Sequence, residues 1–422
     1  MVKNNNSVIV LAALCCAVIF YARLLPLKES KPYRSLLPIE MADFLEGTVA
    51  SNPVKLSSGR FYAMDFSVET ASCRIRKASA SSAAQGLIPV YMPSSIVESL
   101  YPGKIYTQGI LVEKGERQGL FGSWDKKRQV FLVKEAVYKS YSHSPQGILC
   151  HFRAVCRLVF KRLLFSWGKA GGLLLALLSG SREYTAAEDS EAFRRAGLSH
   201  ILALSGMHLS FFAGMTDGVG NIVWGRKHRL LIRLAGICFF VWFAGFSPSL
   251  FRAFLFCLLM AVLEFFHCRR IERLTVLAAV FLLHIILKPA DMFSISFMLS
   301  YAALAGILCF SPLCERFFVR FLPPGIAASV SASSAAQLAT APLSIALFGS
   351  IMPVGIIASV IVSPLAGFFL SAGVAGMLLC LLLPFLAPLA SFILNGIYRL
   401  CLFFVHSFAL VPTFTFRSFY EN

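Results

Sequence analysis

The pattern of hydrophobic and polar residues changes character along the chain. Between about residues 40 and 140, apolar and polar residues alternate in short stretches such as "RQVFLVKEAVY", with Gly and Pro between them. This alternation predicts a small all-β domain of about five or six strands. Farther on, long apolar runs predict membrane-spanning helices. An apolar run at residues 7–22 is followed by no clean cleavage site, so we expect a retained anchor helix there.

These patterns together predict a polytopic α-helical membrane protein with a small N-terminal all-β domain. We expect about eight to ten membrane segments, some of them broken. The β domain has the size of a small closed barrel such as an OB-fold. The predicted regions are a membrane anchor and linker (1–38), the OB-like β domain (39–141), a basic amphipathic helix (142–168) and a transmembrane domain (169–422).

Within the transmembrane domain, four spans are clear from their apolar runs: Leu230–Phe246, Leu250–Phe266, Leu274–Leu287 and Phe293–Phe310. If each run crosses the membrane, the basic segments "RKHRLLIR", "CRRIER" and "CERFFVR" fall on one side, and the positive-inside rule places that side in the cytoplasm. After Arg320 no charged residue occurs until Arg399, and prolines in that part predict short helices and bent elements.

Composition excludes an ordinary soluble domain. Of the 422 residues, 57% are hydrophobic and 14% are charged, and the mean hydropathy is +0.72. Lys and Arg number 39 against 21 Asp and Glu. Positive cytoplasmic loops explain part of this excess, and a polyanionic partner is a further explanation. The 12 cysteines form no CxxC pair, and neither HxH nor HExxH occurs, so we expect no metal site and no cofactor.

The segment "GLSHILALSGMH" (197–208) places polar residues in an apolar setting. His200 and His208 lie about 80° apart on a straight helix, and Leu204 occupies the i+4 position, so a shared metal is not expected. Ser205 and His208 are close enough to touch, which permits an intramembrane serine hydrolase, but the GxSxG elbow is missing. Alternatively, these groups satisfy the backbone where Gly206 interrupts a helix, or they line a wet interior.

Two further basic features each have two interpretations. In "GFSPSLFRA", Ser247 and Pro248 predict a helix start, and Arg252 either snorkels to the interface or faces an aqueous path and meets phosphate. In "HFRAVCRLVFKRLLFSW", Arg153, Arg157 and Lys161 share one helix face. That helix either lies in the headgroup region or forms a basic lip beside a passage for a polyanion.

The β domain combines basic and aromatic residues, among them Arg74, Arg76, Lys77 and Tyr106. Cationic groups with stacking faces suit single-stranded nucleic acid. The same mixture also occurs on ordinary β surfaces, where aromatic residues are good strand formers.

Four blocks of the sequence resemble the ComEC family of competence proteins: "FRRAGLSHILALSGMHL", "GFSPSLFRAFLF", "FSISFMLSYAALAG" and "AAQLATAPLSIALFG", in the family's order. The family also has an N-terminal helix and an OB-like domain, so the resemblance extends over nearly the whole chain. Two departures stand out. The metallo-β-lactamase-like domain of larger members and its HxHxDH motif do not occur, and Ser359 stands where the family often has Asn.

The resemblance implies an inner-membrane channel, not an enzyme, that imports single-stranded DNA during natural transformation. The β domain would then lie on the external or periplasmic side. Implied partners are DNA, membrane lipids and other competence proteins, namely a DNA receptor, an ATP-driven motor and a separate nuclease. The motor has to be another protein because no P-loop motif occurs in this sequence. The pore forms within one chain or in a homodimer. The candidate DNA-path residues are Arg194, Arg195, His200, Ser205, Gly206, His208, Arg252 and Gln337. Alternatives are a permease for another substrate, anions included, and an intramembrane serine hydrolase.

Overall fold

The structure is a computed structural model that describes residues 33–51, 53–56, 58–75, 78–98, 115–138, 145–180, 185–223, 229–266 and 271–415. Nearly all of the expected N-terminal anchor therefore lies outside the described residues. The described chain forms two compact units. The first contains the residues up to Ala176 together with Thr185, and the second contains residues 177–180 and those from Ala186 onward.

The first unit contains a small β-barrel. Its elements are β1 (Arg34–Ser35), β2 (Phe44–Val49), β3 (Val54–Lys55), β4 (Phe61–Ile75), β5 (Ala78–Pro93), the short helix α1 (Ser94–Glu98), β6 (Arg117–Asp125) and β7 (Val130–Tyr138). The barrel closes in the order β2–β4–β5–β7–β6 and back to β2. The β5–β7 pairing is parallel, and the other pairings in this ring are antiparallel. The predicted all-β domain is thus confirmed.

Alternation along the strands builds the core of this barrel. In β2, Leu45 and Val49 point inward while Phe44 and Glu46 are partly exposed. Inward-facing residues of every long strand meet in one cluster, including Tyr62, Phe66, Ile88, Leu120 and Phe131. The register shifts at Gly47, where any side chain would collide with the Ser67 carbonyl. This bulge lets the strand bend enough for the barrel to close.

The helix α2 (Pro145–Ser166) confirms the predicted helix but not the expected exposure of its faces. Arg157 and Lys161 are only 2% and 4% exposed, whereas Phe152 is 58% exposed. Two cations of the basic face are therefore covered by protein, whereas Phe152 and Val155 on the apolar face are exposed and Leu163 is buried. Because a basic lip requires accessible cations, this orientation argues against that interpretation. The apolar side chains that are exposed on this helix instead suit contact with lipid.

The second unit is helical. Its helices are α3 (Gly168–Ser179, which starts in the first unit), α4 (Ala187–Arg195), α5 (Ser199–Leu202), α6 (Gly206–Val223), α7 (Arg229–Ala244), α8 (Pro248–Phe265), α9 (Arg273–Leu287), α10 (Ile295–Phe318), α11 (Pro324–Phe348), α12 (Val354–Leu382) and α13 (Ala387–Ala409). Two short strands, β8 (Ser350–Ile351) and β9 (Phe414–Thr415), pair antiparallel near its end.

Within the described residues, five helices are long and apolar enough to span a membrane: α8, α10, α11, α12 and the segment Pro384–Ala409 that contains α13. Three shorter apolar helices accompany them: α3, most of α7, and α9. The chain is therefore a multi-pass membrane protein, and the total of eight to ten segments stays a prediction. The four expected spans correspond to α7, α8, α9 and α10.

The small-residue segment within α11 packs closely against α10. A side chain at Gly306 would collide with Ala339, and the Ala335 carbonyl lies 2.7 Å from the same point. Small side chains therefore let the two helix backbones approach each other, as is common in lipid.

The expected breaks occur at two prolines, since Pro353 directly precedes α12 and Pro384 lies in the turn between α12 and α13. Pro342 and Pro364 instead lie inside the long helices α11 and α12, so the expectation of short helices is wrong at these two positions.

Candidate functional site

The candidate site is a break between two helices. α5 ends at Leu202, Ala203 is extended (φ −83°, ψ 136°), and α6 begins at Gly206. The interruption frees the Leu204 carbonyl, which accepts a 2.6 Å hydrogen bond from the buried Ser249 hydroxyl of α8. Non-helical backbone at membrane depth is tolerated when protein satisfies its polar groups in this way. The predicted helix interruption at Gly206 is thus confirmed.

His208 lies in the first turn of α6 and is 1% exposed. Its Nδ1 accepts a hydrogen bond from the Ser205 backbone N–H at 3.3 Å and lies 3.3 Å from Ser205 Oγ. Because Nδ1 acts as an acceptor, the neutral ring carries its proton on Nε2. Nε2 is buried and has no hydrogen-bond partner among the described residues. The ring therefore holds one buried donor ready for an acceptor.

Arg252 in α8 is buried, with 9% of its surface exposed, so it does not snorkel to the interface. Its Nη1 donates a 2.8 Å hydrogen bond to the Ser300 carbonyl of α10. Its Nε is buried and has no partner in the described part of the chain. Nη2 lies 3.3 Å from the position that a Cβ atom on Gly206 would occupy. The guanidinium thus lies directly against the first residue of α6.

This arrangement concentrates hydrogen-bond donors and positive charge. The start of an 18-residue helix presents backbone N–H groups and the positive end of its dipole. Arg252 adds a cation to it, and both Arg252 and His208 retain unpartnered buried donors. A buried cation without a counter-charge is strongly unfavourable in an apolar setting. The chemistry of the site therefore favours an anionic ligand.

Three other path candidates of this segment are accessible. Arg194 and Arg195 are exposed on α4, where both form ion pairs with Glu191 at 2.6 and 3.0 Å. Hydrogen bonds from Arg194 and Arg195 lower the pKa of Glu191 to about 2, so it remains a carboxylate at neutral pH. Their positive charge is thus partly compensated. His200 is exposed on α5.

Gln337 has a structural contact in the fold. Its Nε2 donates a 2.8 Å hydrogen bond to the Met352 carbonyl, in the turn that precedes α12. Gly197 adopts a left-handed conformation (φ 72°) against that turn, and a side chain on it would come within 3.0 Å of the Gly355 Cα. Gln337 therefore holds a turn against which the site segment packs.

A family model described as "Competence protein" matches residues 177–420 of this chain. The chain belongs to the competence protein family. The match covers all four sequence blocks that resemble the family and every helix of the candidate site. No curated protein and no solved structure matches the chain.

This competence-family chain also contains a buried polar network that the sequence patterns did not predict. His284 of α9 is fully buried, with Nε2 3.2 Å from Asp291 Oδ2 and Nδ1 3.1 Å from the Tyr301 hydroxyl. Tyr301 directly follows Ser300, whose carbonyl binds Arg252. An ionisable residue inside an apolar run, as in "FLLHIIL", was the signal that could have found it.

The candidate residues of the β-barrel remain largely undescribed. Arg76, Lys77 and Tyr106 lie outside the described residues. The backbone of Arg74 pairs with Ser79 near the end of the long β4–β5 hairpin. Nothing in the described part of the chain groups three or more His, Cys, Asp or Glu residues as metal ligands.

Proposed function

We propose that this protein is an inner-membrane channel that imports single-stranded DNA during natural transformation. The observation that carries the proposal is the buried Arg252 beside the N-terminus of α6. Its Nε has no hydrogen-bond partner among the described residues, and the same holds for the Nε2 donor of His208 in the first turn of that helix. A phosphodiester supplies the negative charge and the acceptor oxygens that these donors lack. Membership of the competence family makes DNA the expected source of those phosphates.

In this proposal the site is one of several phosphate-binding sites along the path of the DNA strand. A phosphate that leaves water loses its hydration shell, and fixed donors replace it. Because Arg252 and His208 are held by hydrogen bonds to Ser300 and Ser205, their donors need little rearrangement when an anion arrives. Arg194, Arg195 and His200 lie on the exposed side of the segment and would raise the local positive potential.

We further infer that the β-barrel is an OB-fold that gathers incoming strands. The barrel order β2–β4–β5–β7–β6, with a parallel β5–β7 closure, is that of a five-stranded Greek-key barrel. Arg74, Arg76, Lys77 and Tyr106 are its proposed contacts with DNA, through phosphate and base stacking. If so, single-stranded DNA binding by the full-length protein weakens steeply with added salt, and Lys77→Ala reduces that slope by about one.

By the positive-inside rule, the basic segments at the start of α7, before α9 and at the end of α10 belong in the cytoplasm, and we propose the barrel on the external side of the inner membrane. A receptor, a motor and a nuclease would be separate proteins. The pore would form within one chain or in a homodimer.

Uptake of labelled DNA in a strain deleted for this gene tests the proposal, with external, periplasmic and cytosolic label followed separately. The strain is complemented with the wild type, Arg252→Met, or Arg399→Met as a control at an exposed arginine of α13. We expect DNA to stop outside the inner membrane in the deletion and Arg252→Met strains and to enter in the control. Normal entry without the gene, in a strain lacking a paralogue, refutes the channel and favours a permease for another anion.

The contact between Ser205 and His208 also permits a second candidate, an intramembrane serine hydrolase. Such an enzyme needs the ring to take the proton of Ser205 through Nδ1, which here also accepts the Ser205 N–H. In the described residues, no carboxylate contacts Nε2 to orient the ring. A serine-directed phosphonate separates the two: a hydrolase is labelled at Ser205 and loses all activity in Ser205→Ala, whereas a channel is unlabelled and loses uptake only in part.

A further inference from the structure

His284 of α9 is a buried titratable residue outside the phosphate site at Arg252. Its ring is fully buried, and the rings of Phe251 and Phe297 each lie 4.9 Å from it between centroids. Water therefore does not reach the imidazole directly. Asp291, whose side chain is 25% exposed, places its Oδ2 3.2 Å from His284 Nε2. A proton can thus pass between water and the buried ring through this carboxylate.

The hydrogen bonds of the network define a neutral ring. A carboxylate can only accept, so His284 Nε2 carries a proton and donates it to Asp291 Oδ2. Nδ1 is then an acceptor, and the Tyr301 hydroxyl, 3.1 Å away, donates to it. Both nitrogens of the ring therefore have partners while the ring is uncharged.

The same groups can also accommodate a charged ring. A second proton on His284 Nδ1 turns that nitrogen into a donor, and the Tyr301 oxygen becomes its acceptor. The hydroxyl proton then needs another acceptor, and the Val280 carbonyl lies 3.4 Å from the hydroxyl oxygen. Rotation of one hydroxyl thus converts the neutral arrangement into the charged one. Because a buried charge is tolerated when it is paired and hydrogen-bonded, the Asp291 carboxylate completes a site for a proton.

Two covalent connections join this network to the phosphate site. The hydroxyl that contacts the imidazole belongs to Tyr301, which directly follows Ser300. The Ser300 carbonyl accepts the 2.8 Å hydrogen bond from Arg252 Nη1. Phe251, whose ring packs against that of His284, directly precedes Arg252. The imidazole and the guanidinium are therefore held by neighbouring residues of α8 and α10.

The charge of the ring acts on the phosphate site. The titratable groups that face His284 are Asp291, Tyr301, Arg252 and Lys288. Once the ring is protonated, the one carboxylate faces three positive charges. An anion at Arg252 reduces this excess, so anion binding favours protonation of the ring. By linkage, a proton on the ring raises the affinity of the phosphate site for the anion by the same factor.

We propose that His284 is a proton-binding site coupled to the phosphate site at Arg252, so that a DNA phosphate binds more tightly once His284 is protonated. This inference rests on the proposed function, because DNA supplies the anion. Asp291 lies between α9 and α10, at the ends of these helices opposite the basic segments, which the positive-inside rule assigns to the external side. The proton and the incoming strand would therefore reach the site from the same side of the membrane.

Nuclear magnetic resonance of the full-length protein in detergent, with isotope-labelled histidine rings, tests this. The His284 signal is assigned by its loss in His284→Gln and followed between about pH 5 and pH 8, the range in which histidine changes charge. The ligands are a short oligothymidylate and its methylphosphonate analogue, which has no backbone charge. We expect the oligothymidylate to raise the proton affinity of His284 about fivefold or more and the neutral analogue to leave it unchanged.

Three variants separate the contributions. Arg252→Met should remove the effect of the oligothymidylate on His284. Asp291→Asn keeps an acceptor for Nε2 but removes the negative charge, so the proton affinity without ligand should fall about tenfold. Glu188→Gln removes an exposed carboxylate of α4 as the matched control and should change neither value.

A His284 ring that stays neutral over this range, or a proton affinity that the oligothymidylate does not change, overturns the proposal. The signal of His208 distinguishes the two ways of failing, since its Nε2 belongs to the phosphate site. If His208 responds to the oligothymidylate and His284 does not, the proton site is refuted and the proposed function is unaffected. If neither responds, the phosphate site of the proposed function is refuted as well.

Discussion

Replacing Arg252 by Met should separate stability from transport. The substitution removes one hydrogen bond to the Ser300 carbonyl, worth about 1.5–3 kcal/mol for a charged donor. It also removes a buried cation that has no counter-charge within the described part of the chain, and each buried ion costs several kcal/mol. The second effect is larger, so we expect Arg252→Met to be more stable than the wild type by about 1–3 kcal/mol. At about 2–4 °C per kcal/mol, the melting temperature should rise by a few degrees.

DNA uptake by the same variant should fall about tenfold or more, because a phosphate on the path loses a charge-assisted contact. Thermal unfolding in detergent, followed by tryptophan fluorescence, gives the stability, and cytosolic label gives the uptake. Arg399→Met controls for the loss of one positive charge and should change neither value. A melting temperature that falls by more than about 5 °C, or uptake within twofold of the wild type, refutes the reasoning.

Three other substitutions test neighbouring features. His208→Asn keeps an acceptor for the Ser205 N–H but removes the Nε2 donor, so the melting temperature should be nearly unchanged while DNA uptake falls. DNA uptake equal to that of the wild type would contradict the role of Nε2. Gly197→Ala places a methyl group at a residue with φ 72° and within 3.0 Å of the Gly355 Cα, so the melting temperature should drop by several degrees. An unchanged melting temperature would be inconsistent with the close approach of these two backbone segments. The pKa of Glu191 is lowered to about 2, so its ion pairs stabilise the fold fully above about pH 4.5 and are lost as the pH falls toward 2. Glu191→Gln should therefore remove this part of the pH dependence of the melting temperature. A melting-temperature profile identical to that of the wild type would contradict the stabilising role of these ion pairs.

Local signals in the sequence predicted the local features of the structure. The helix start at Ser247 and Pro248 is present, and the Ser247 side chain accepts a hydrogen bond from the Leu250 N–H. The helix interruption at Gly206 and the alternating strands of the barrel follow from short-range patterns of the same kind. Such features depend on residues only a few positions apart, which a single sequence displays directly.

Features that depend on distant residues were not predictable in the same way. The Ser300 carbonyl that accepts from Arg252 lies 48 residues away, and a backbone carbonyl leaves no mark in the sequence. The burial of two cations on the basic face of α2 was missed because periodicity gives the angle between faces but not which residues the protein covers. Pro342 and Pro364 lie inside long helices, since neighbouring helices and local adjustments accommodate proline in membrane spans.

The hydrogen bond from Ser249 to the Leu204 carbonyl has a consequence for biosynthesis. The ribosome makes Leu204 45 residues before Ser249, so for a time the carbonyl exists without its partner. An unpartnered carbonyl is too unfavourable to leave in hydrocarbon. We infer that the segment that contains α5 and α6 stays in contact with water or the insertion machinery until α8 has emerged. On this inference, one serine hydroxyl helps to set the order in which helices enter the bilayer.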